Sequence, residues 1–417
     1  MSTVLPVAEE TSALDRVRAL ESEYLLQNYA RYPLLLDRGK GCYVFDPAGK
    51  RYLDFITGIG VNALGHAHPR LVKVIREQAG RLLHCSNLYY HAYQGPLAER
   101  LAKASGLQRT FFCNSGAESM EGAMKMVRAH GHKLHPEKFE IVALHNSFHG
   151  RTLGALSITG QEKYRRDFEP LLPGAHFVPP NDEIALEQVV SERTAGIVIE
   201  WIQGEGGIFP MSIEYVRKAR ELATRYDALL VFDEIQCGVG RTGKYFAYQL
   251  SDPVVLPDVM VAAKPLACGI PMGVIVANER AAQSIGPGMH GSTFGGGPLA
   301  CRVALEFMDV LDELLPHIDK MGRYFRAKLE ELQKQFPFIR EVRGQGLMIG
   351  AELTFPCKQL VLDAMQQGLL MNCTHETVLR FLPPYIVTEK EIDRAVSILK
   401  RVMKLAAQRG DAMNNGH

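Results

Sequence analysis

The sequence predicts an α/β fold in which a mostly parallel central sheet, covered by helices, forms a large domain and a smaller α+β domain is attached to it. Three observations predict this. Between about residues 110 and 280, short uniformly apolar runs alternate with longer amphipathic ones. Strands buried on both faces lose the polar alternation of a half-exposed strand, and alternation with helices is the pattern of a parallel sheet. After about residue 310, long amphipathic helices surround short strands instead. The chain of 417 residues also carries 47% hydrophobic and 22% charged residues, an ordinary globular mix with ample material for a large core.

Taken in order, residues 1–20 are polar enough to be mobile or a loose helix. GKGCYVFDPAGKRYLDF at 40–56 suits a hairpin, because two aromatic, β-branched runs flank the turn residues of DPAGK. The predicted core strands are FEIVAL (139–144), AGIVIEWI (195–202), ALLVFDE (228–234), VMVAA (259–263) and GVIVA (273–277). EYVRKARELATRY (214–226) is one of the helices between them. The last two strands sit in the apolar stretch 254–277. It is no membrane span, since Asp258, Lys264, three prolines and two glycines interrupt it. The expected domains are an N-terminal segment of the small domain (1–60), a large domain (61–310) and a C-terminal small domain (311–417). In such a sheet, ligands gather at the carboxyl ends of the strands.

A net charge of +1 gives no global field toward nucleic acid or an anionic membrane. The eight cysteines form no CxxC pair and no ligand-like cluster, so they are expected to be free thiols of a reducing cytoplasm. MSTVLPVAEE has neither the basic nor the apolar region of a signal peptide. His130, His132 and His135, and the pair in GHAHP (65–69), lack the partners of a metal set, so surface and turn roles are expected and no metal.

Several polar residues punctuate the predicted strand ends. Lys264 lies in the most apolar stretch. Desolvation lowers a lysine pKa, and an uncharged amine can condense with a carbonyl; a lysine reaching out to solvent is the equal alternative. Asp233 and Glu234 end a strand, where one could neutralise a cationic ring nitrogen or merely cap and bridge. NSGAES (114–119) opens a helix: Ser115 and Gly116 suit a phosphate, or Ser115 is a plain cap with Glu118 completing a capping box. GVGRTG (238–243) matches GxGxxG, but EIQC separates it from its strand and no helix opens after it, so it is a glycine-rich loop rather than a dinucleotide site. Thr293 in HGSTFGGGPLA could donate to a phosphate or sit in a surface turn.

The order of these signals is specific. With NSGAES, FHGRTLGAL (148–156), IQGEGG (202–207), LLVFDEIQCGVGRTG (229–243), AAK (262–264), GSTFGG (291–296) and VRGQGLMIGAEL (342–353), the chain resembles the class III (ω-amino acid) aminotransferases of pyridoxal phosphate (PLP) fold type I over about residues 25–400. The resemblance implies that residues 61–310 bind pyridoxal 5'-phosphate. Lys264 is then the Schiff-base lysine and Asp233 the partner of the pyridine nitrogen. Gln236 bonds the phenolic oxygen, Phe148 stacks on the ring, and Ser115, Gly116 and Ala117 form the phosphate cup. Thr293 is a phosphate ligand given to the neighbouring subunit, which implies a homodimer with active sites at its interface.

For substrates, the resemblance implies that Arg380 grips a carboxylate and Glu205 pairs with it when no second carboxylate is present. Arg151 is a second clamp, with Tyr29 and Arg31 at the entrance. The implied reaction moves an ω-amino group to 2-oxoglutarate with N2-acetylornithine as preferred donor; ornithine, 4-aminobutyrate, succinylornithine and lysine-type donors are the alternatives. A binding protein of this fold without turnover is the alternative from another class. The sequence departs from the pattern at Pro265 after the lysine, Trp201 before IQGE, Met120 after the phosphate cup and Gly297 in GGGP. Pro265 is expected to hold Lys264 in an extended conformation.

Overall fold

A computed structural model describes residues 12–411. Of the predicted mobile or loosely helical start, residues 1–11 lie outside that range; from there Ser12 caps a helix, Ala13–Tyr24, by accepting the Asp15 N–H.

The central sheet has seven strands. They are β4 (Arg109–Cys113), β5 (Glu140–Leu144), β6 (Ala175–Val178), β7 (Thr194–Glu200), β10 (Leu229–Asp233), β11 (Val259–Ala262) and β12 (Gly273–Ala277), in the order β4-β12-β11-β10-β7-β5-β6. Only β12 runs against its neighbours. β7, β10, β11 and β12 are buried along their whole length, which is why they read as continuous apolar runs. β4 and β6 flank the predicted five and were not foreseen as strands. β4 begins half-exposed at the sheet edge, and β6 is only four residues of mixed burial, so neither carries a clean apolar signal.

Three smaller sheets complete the fold. The hairpin predicted at 40–56 forms from β2 (Tyr43–Phe45) and β3 (Arg51–Asp54), joined by β1 (Arg38–Lys40) on one side. On the other side β3 takes a parallel partner from far along the chain, β15 (Leu369–Leu370). A ribbon of β8 (Ile202–Gln203) and β9 (Phe209–Pro210) projects the loop that carries Glu205. Finally β13 (Ile339–Gln345), β14 (Met348–Leu353), β17 (Val378–Phe381) and β16 (Asn372–Thr374) form an antiparallel sheet in that order. The helix Pro298–Gln335, of 38 residues, runs through position 310 without a break.

Arg241 ties the glycine-rich loop 238–243 to the rest of the fold. Its fully buried guanidinium donates to the carbonyls of Leu347 (3.2 Å) and Pro383 (2.6 Å). No described helix is long and apolar enough to cross a membrane.

One expectation about the cysteines is overturned. Cys357 and Cys373 form a disulfide; the other six are free thiols. The pair is 16 residues apart, and the helix Lys358–Gln366 with β15 and β16 folds the second cysteine back onto the first. Spacing alone does not reveal such a closure.

Candidate active site

The carboxyl ends of the sheet strands converge on one cavity of about 370 Å³. β4 delivers Asn114, Ser115, Gly116 and Ala117; β5 leads to Phe148, His149 and Arg151; β7 ends at Glu200; β10 delivers Asp233, Ile235 and Gln236; and β11 leads to Lys264. Because β12 is reversed, its amino end lies at the same rim, and Met272 lines the cavity too.

Lys264 opens a single 3₁₀ turn, Lys264–Ala267. Pro265 therefore does not extend the chain here. It occupies the first turn, where its missing N–H costs nothing. The Lys264 side chain lines the cavity, and its amine has no hydrogen-bond or ion-pair partner among the described residues. Burial lowers its pKa, against the pull of Asp233 and Glu205. The side chain is thus directed into the cavity rather than out over the protein surface.

Asp233 is 3% exposed. Oδ1 accepts the Ile235 N–H at 3.0 Å, and Oδ2 lies 2.7 Å from His149 Nδ1. His149 is buried, and its Nε2 has no partner. Burial alone would lower the His149 pKa, but the Asp233 carboxylate outweighs it and the net shift is upward. Glu200, beside them, accepts N–H groups of Phe148 (2.8 Å) and Gly204 (3.1 Å). Burial raises its pKa to about 7, with His149 opposing. Glu234 points away from the cavity: it is buried and accepts the N–H groups of Ala247 and Tyr248, the structural role of the two foreseen.

Ser115 caps the helix Gly116–Leu134 by accepting the Glu118 N–H (3.2 Å). Glu118 does not close a capping box on Ser115. It reaches back one residue further, to the Asn114 N–H (3.0 Å). The first-turn N–H groups that a helix leaves without internal partners therefore face the cavity side of Ser115–Ala117. Close packing sets this geometry. A Cβ on Gly116 would come within 2.8 Å of Ile235, and a Cβ on Gly273 within 2.2 Å of the Ser115 carbonyl. Gly273→Ala is expected to cost about 1–3 kcal/mol of stability and to displace the start of this helix. Urea unfolding, together with the rate at which the protein loses an anionic ligand from the cavity, checks both effects.

The substrate-side residues form a second group. Arg380 is 1% exposed. Its Nη1 donates to Glu205 Oε1 at 2.5 Å and to Gln236 Oε1 at 3.1 Å, and its Nε donates to Asn372 Oδ1 at 3.0 Å. Burial would raise the Glu205 pKa, but Arg380 outweighs it and holds the carboxyl below its usual range. Gly204 makes room for this arrangement, since a Cβ there would meet the Gln236 amide at 2.3 Å. Arg151 lines the cavity with its guanidinium 4.0 Å from the Tyr164 ring centroid and 5.6 Å from that of Phe148, and with no carboxylate in ion-pair range among the described residues.

The two residues expected at the entrance, Tyr29 and Arg31, lie elsewhere. Tyr29 is 70% exposed, touches Arg31 rather than the cavity, and Arg31 pairs with Glu21. The tyrosine that senses Arg380 is Tyr32: burial raises its pKa while the guanidinium pulls the other way. The two lie three positions apart, and a loop gives no periodicity to choose between them. Thr293 lines a separate small crevice with His84, His91 and Phe294 rather than the cavity of Lys264. Of the histidines, His130 is buried against the Asp227 carbonyl (3.0 Å), not on the surface, and His66 bonds Asp54 (2.8 Å). Among the described residues no group of three His, Cys, Asp or Glu side chains could hold a metal ion.

Sequence reasoning missed His149 and Glu200. His149 stands in the quoted FHGRTLGAL and Glu200 in the strand run AGIVIEWI, and the signal that could have found them is a carboxylate at the end of the strand beside that of Asp233 and a histidine in the loop after the next strand.

Comparison with known proteins agrees with this geometry. Residues 24–403 match the family Aminotransferase class-III. An acetylornithine aminotransferase of Aquifex aeolicus is 48% identical over 91% of this chain and 100% of its own. One of Methanocaldococcus jannaschii is 48% identical over 92% of this chain and 96% of its own. A solved structure of the ornithine aminotransferase from Toxoplasma gondii, with partial occupancy of PLP at its active site, superposes with a TM-score of 0.90 at 32% identity, covering 95% of each chain.

Proposed function

The chain belongs to the class III aminotransferases, and from that premise we propose that it transfers the ω-amino group of N2-acetylornithine to 2-oxoglutarate, yielding N-acetylglutamate 5-semialdehyde and glutamate, a step of arginine biosynthesis. Enzymes of this class use pyridoxal phosphate. The residues fit that group: an unpartnered buried amine, a buried carboxylate fixed by two donors, and free N–H groups at a helix start line one cavity. When bound, it supplies an aldehyde for amines and a ring that withdraws electrons from the carbon bearing the nitrogen.

Each side chain then has a stated task. Lys264 would hold the cofactor and, once freed, would carry a proton to and from the reacting carbon as base and acid; burial lowers its pKa and so favours the uncharged amine. Asp233 keeps a negative charge for the ring nitrogen, aimed by His149. Ser115, Gly116 and Ala117 receive the phosphate, Phe148 covers the ring and Gln236 meets its hydroxyl. Arg380 grips a substrate carboxylate by its two-pronged face, with Arg151 as a second clamp.

The observation that carries the substrate assignment is the Arg380–Glu205 pair. With Glu205 in place, the arginine is neutralised and the pocket accepts a donor with no carboxylate at that end. When Glu205 yields, Arg380 is free for the second carboxylate of 2-oxoglutarate. The names borne by the relatives from Aquifex and Methanocaldococcus support the acetylated donor, and the Toxoplasma structure makes ornithine the second reading. A screen of N2-acetylornithine, ornithine, 4-aminobutyrate, succinylornithine and lysine against 2-oxoglutarate decides it: N2-acetylornithine should have the highest kcat/KM, and a preference for ornithine would replace the first reading with the second.

The same reading makes the enzyme a homodimer of cytoplasmic location. Leu88, Tyr89, Tyr90 and Phe294 are exposed, and Asn87 bonds the carbonyls of Ser292 and Gly295, so the segments around 87 and 293 present one apolar surface. In such a dimer Thr293 of this surface would serve the phosphate of a partner's cofactor. The small domain would join the N-terminal segment to the C-terminal part, with its border inside the helix Pro298–Gln335. Sedimentation at twice the 46.4 kDa chain mass is expected; a monomer with full activity would refute the shared site.

A further inference from the structure

β16 is only three residues long and is the edge strand of its sheet. Its register on β17 sets Asn372 opposite Arg380 and Thr374 opposite Val378. Directly opposed residues of an antiparallel pair share a face, so Asn372 lies beside the arginine and accepts its Nε–H at 3.0 Å. Two residues on, Thr374 Oγ1 donates to the backbone carbonyl of Glu205 at 3.0 Å. One short strand therefore touches both members of the Arg380–Glu205 pair.

The residue between them, Cys373, carries the disulfide to Cys357 at the start of the helix Lys358–Gln366. The Cys357 N–H also donates to the Glu376 carbonyl at 2.9 Å, just past β16. The turn that follows is left-handed at both His375 and Glu376, so it offers little independent support. Edge strands are paired on one side only, and here the disulfide supplies the restraint that a second neighbour would give. Cys357 is fully buried and Cys373 is partly exposed, so a thiol from solvent reaches the Cys373 sulfur.

We propose that β16 is the positioning strand of the carboxylate clamp, and that the Cys357–Cys373 bond sets how firmly it holds Arg380 and Glu205, so that affinity for a dicarboxylic 2-oxo acid follows thiol redox state. The proposal rests on the assignment of Arg380 as the carboxylate grip. A small dithiol opens the bond by attacking Cys373 Sγ. The sulfur–sulfur bond breaks, both cysteines become thiols with the two protons of the dithiol, and the reductant leaves as its cyclic disulfide. β16 then keeps its ladder bonds to β17 but loses its outer tether.

The test uses the holoenzyme, oxidised or treated with dithiothreitol, with a thiol count to verify that free cysteines rise from six to eight. Reduction should raise KM for 2-oxoglutarate about 5-fold with kcat held within about 2-fold, and Asn372→Ala should raise KM about 10-fold. The variant Cys357→Ser with Cys373→Ser should show the raised KM whether or not dithiothreitol is present. If that variant does not fold, the reduced natural enzyme carries the test by itself. An unchanged KM in the verified eight-thiol enzyme overturns the proposal while Arg380→Ala still raises KM. If Arg380→Ala also leaves KM unchanged, the assignment beneath the proposal has failed as well.

Discussion

Lys264→Ala should lower transamination by about four orders of magnitude, the size of losing both the covalent anchor and the group that moves the proton. No neighbour can substitute, because Lys264 is the one amine among the residues lining the cavity. Borohydride treatment followed by peptide mapping should fix the cofactor on Lys264 in the natural protein and nowhere in the variant. The pH dependence has a definite sign. An amine reacts in its uncharged form, and burial lowers the Lys264 pKa from the ordinary lysine value of 10.5. Uptake of the cofactor should therefore rise with pH and level off below 10.5. A variant that retains near-normal turnover, or a reduced cofactor found on a different peptide, would end the assignment.

Arg380→Ala should lower kcat/KM for 2-oxoglutarate by about 10²–10³-fold, because a buried, preorganised guanidinium is replaced by nothing that can meet a carboxylate. It should also change stability in a pH-dependent way. Arg380 depresses the Glu205 pKa, so the pair contributes stability above the carboxyl's unfolded value of 4.5 and loses it as pH falls through the folded value. The melting temperature of Arg380→Ala should therefore lie further below that of the natural protein at pH 7 than at pH 4. Equal deficits at both pH values would mean that the pair stabilises nothing and that the loss is one of packing alone.

How much of this was legible in the sequence depends on how local each feature is. The core strands β7, β10, β11 and β12 announce themselves because every residue in them is buried. Lys264, Asp233 and Ser115 were visible as polar residues at strand ends, where a parallel sheet collects ligands. Long-range closure was not visible. The disulfide depends on how a helix and two short strands fold back, and the pairing of β3 with β15 depends on a contact between distant parts of the chain. Tyr29 failed to appear at the cavity because it lies in a loop where a shift of three residues leaves no trace, whereas Thr293, expected to serve the neighbouring subunit, lines its own crevice away from Lys264. His149 was hidden by its own burial, since one histidine in a motif gives no hint that it meets Asp233.

The union of β3 with β15 bears on how the polypeptide is made. The ribbon of β1, β2 and β3 leaves the ribosome before Leu369 and Leu370, which close its free side and are synthesised more than three hundred residues later. Contacts of such separation are slow to form and must wait until both segments have been synthesised. During that interval the nascent chain exposes an unpaired strand. Chaperone demand during biosynthesis should consequently fall on the ribbon Arg38–Asp54, however stable the finished enzyme is.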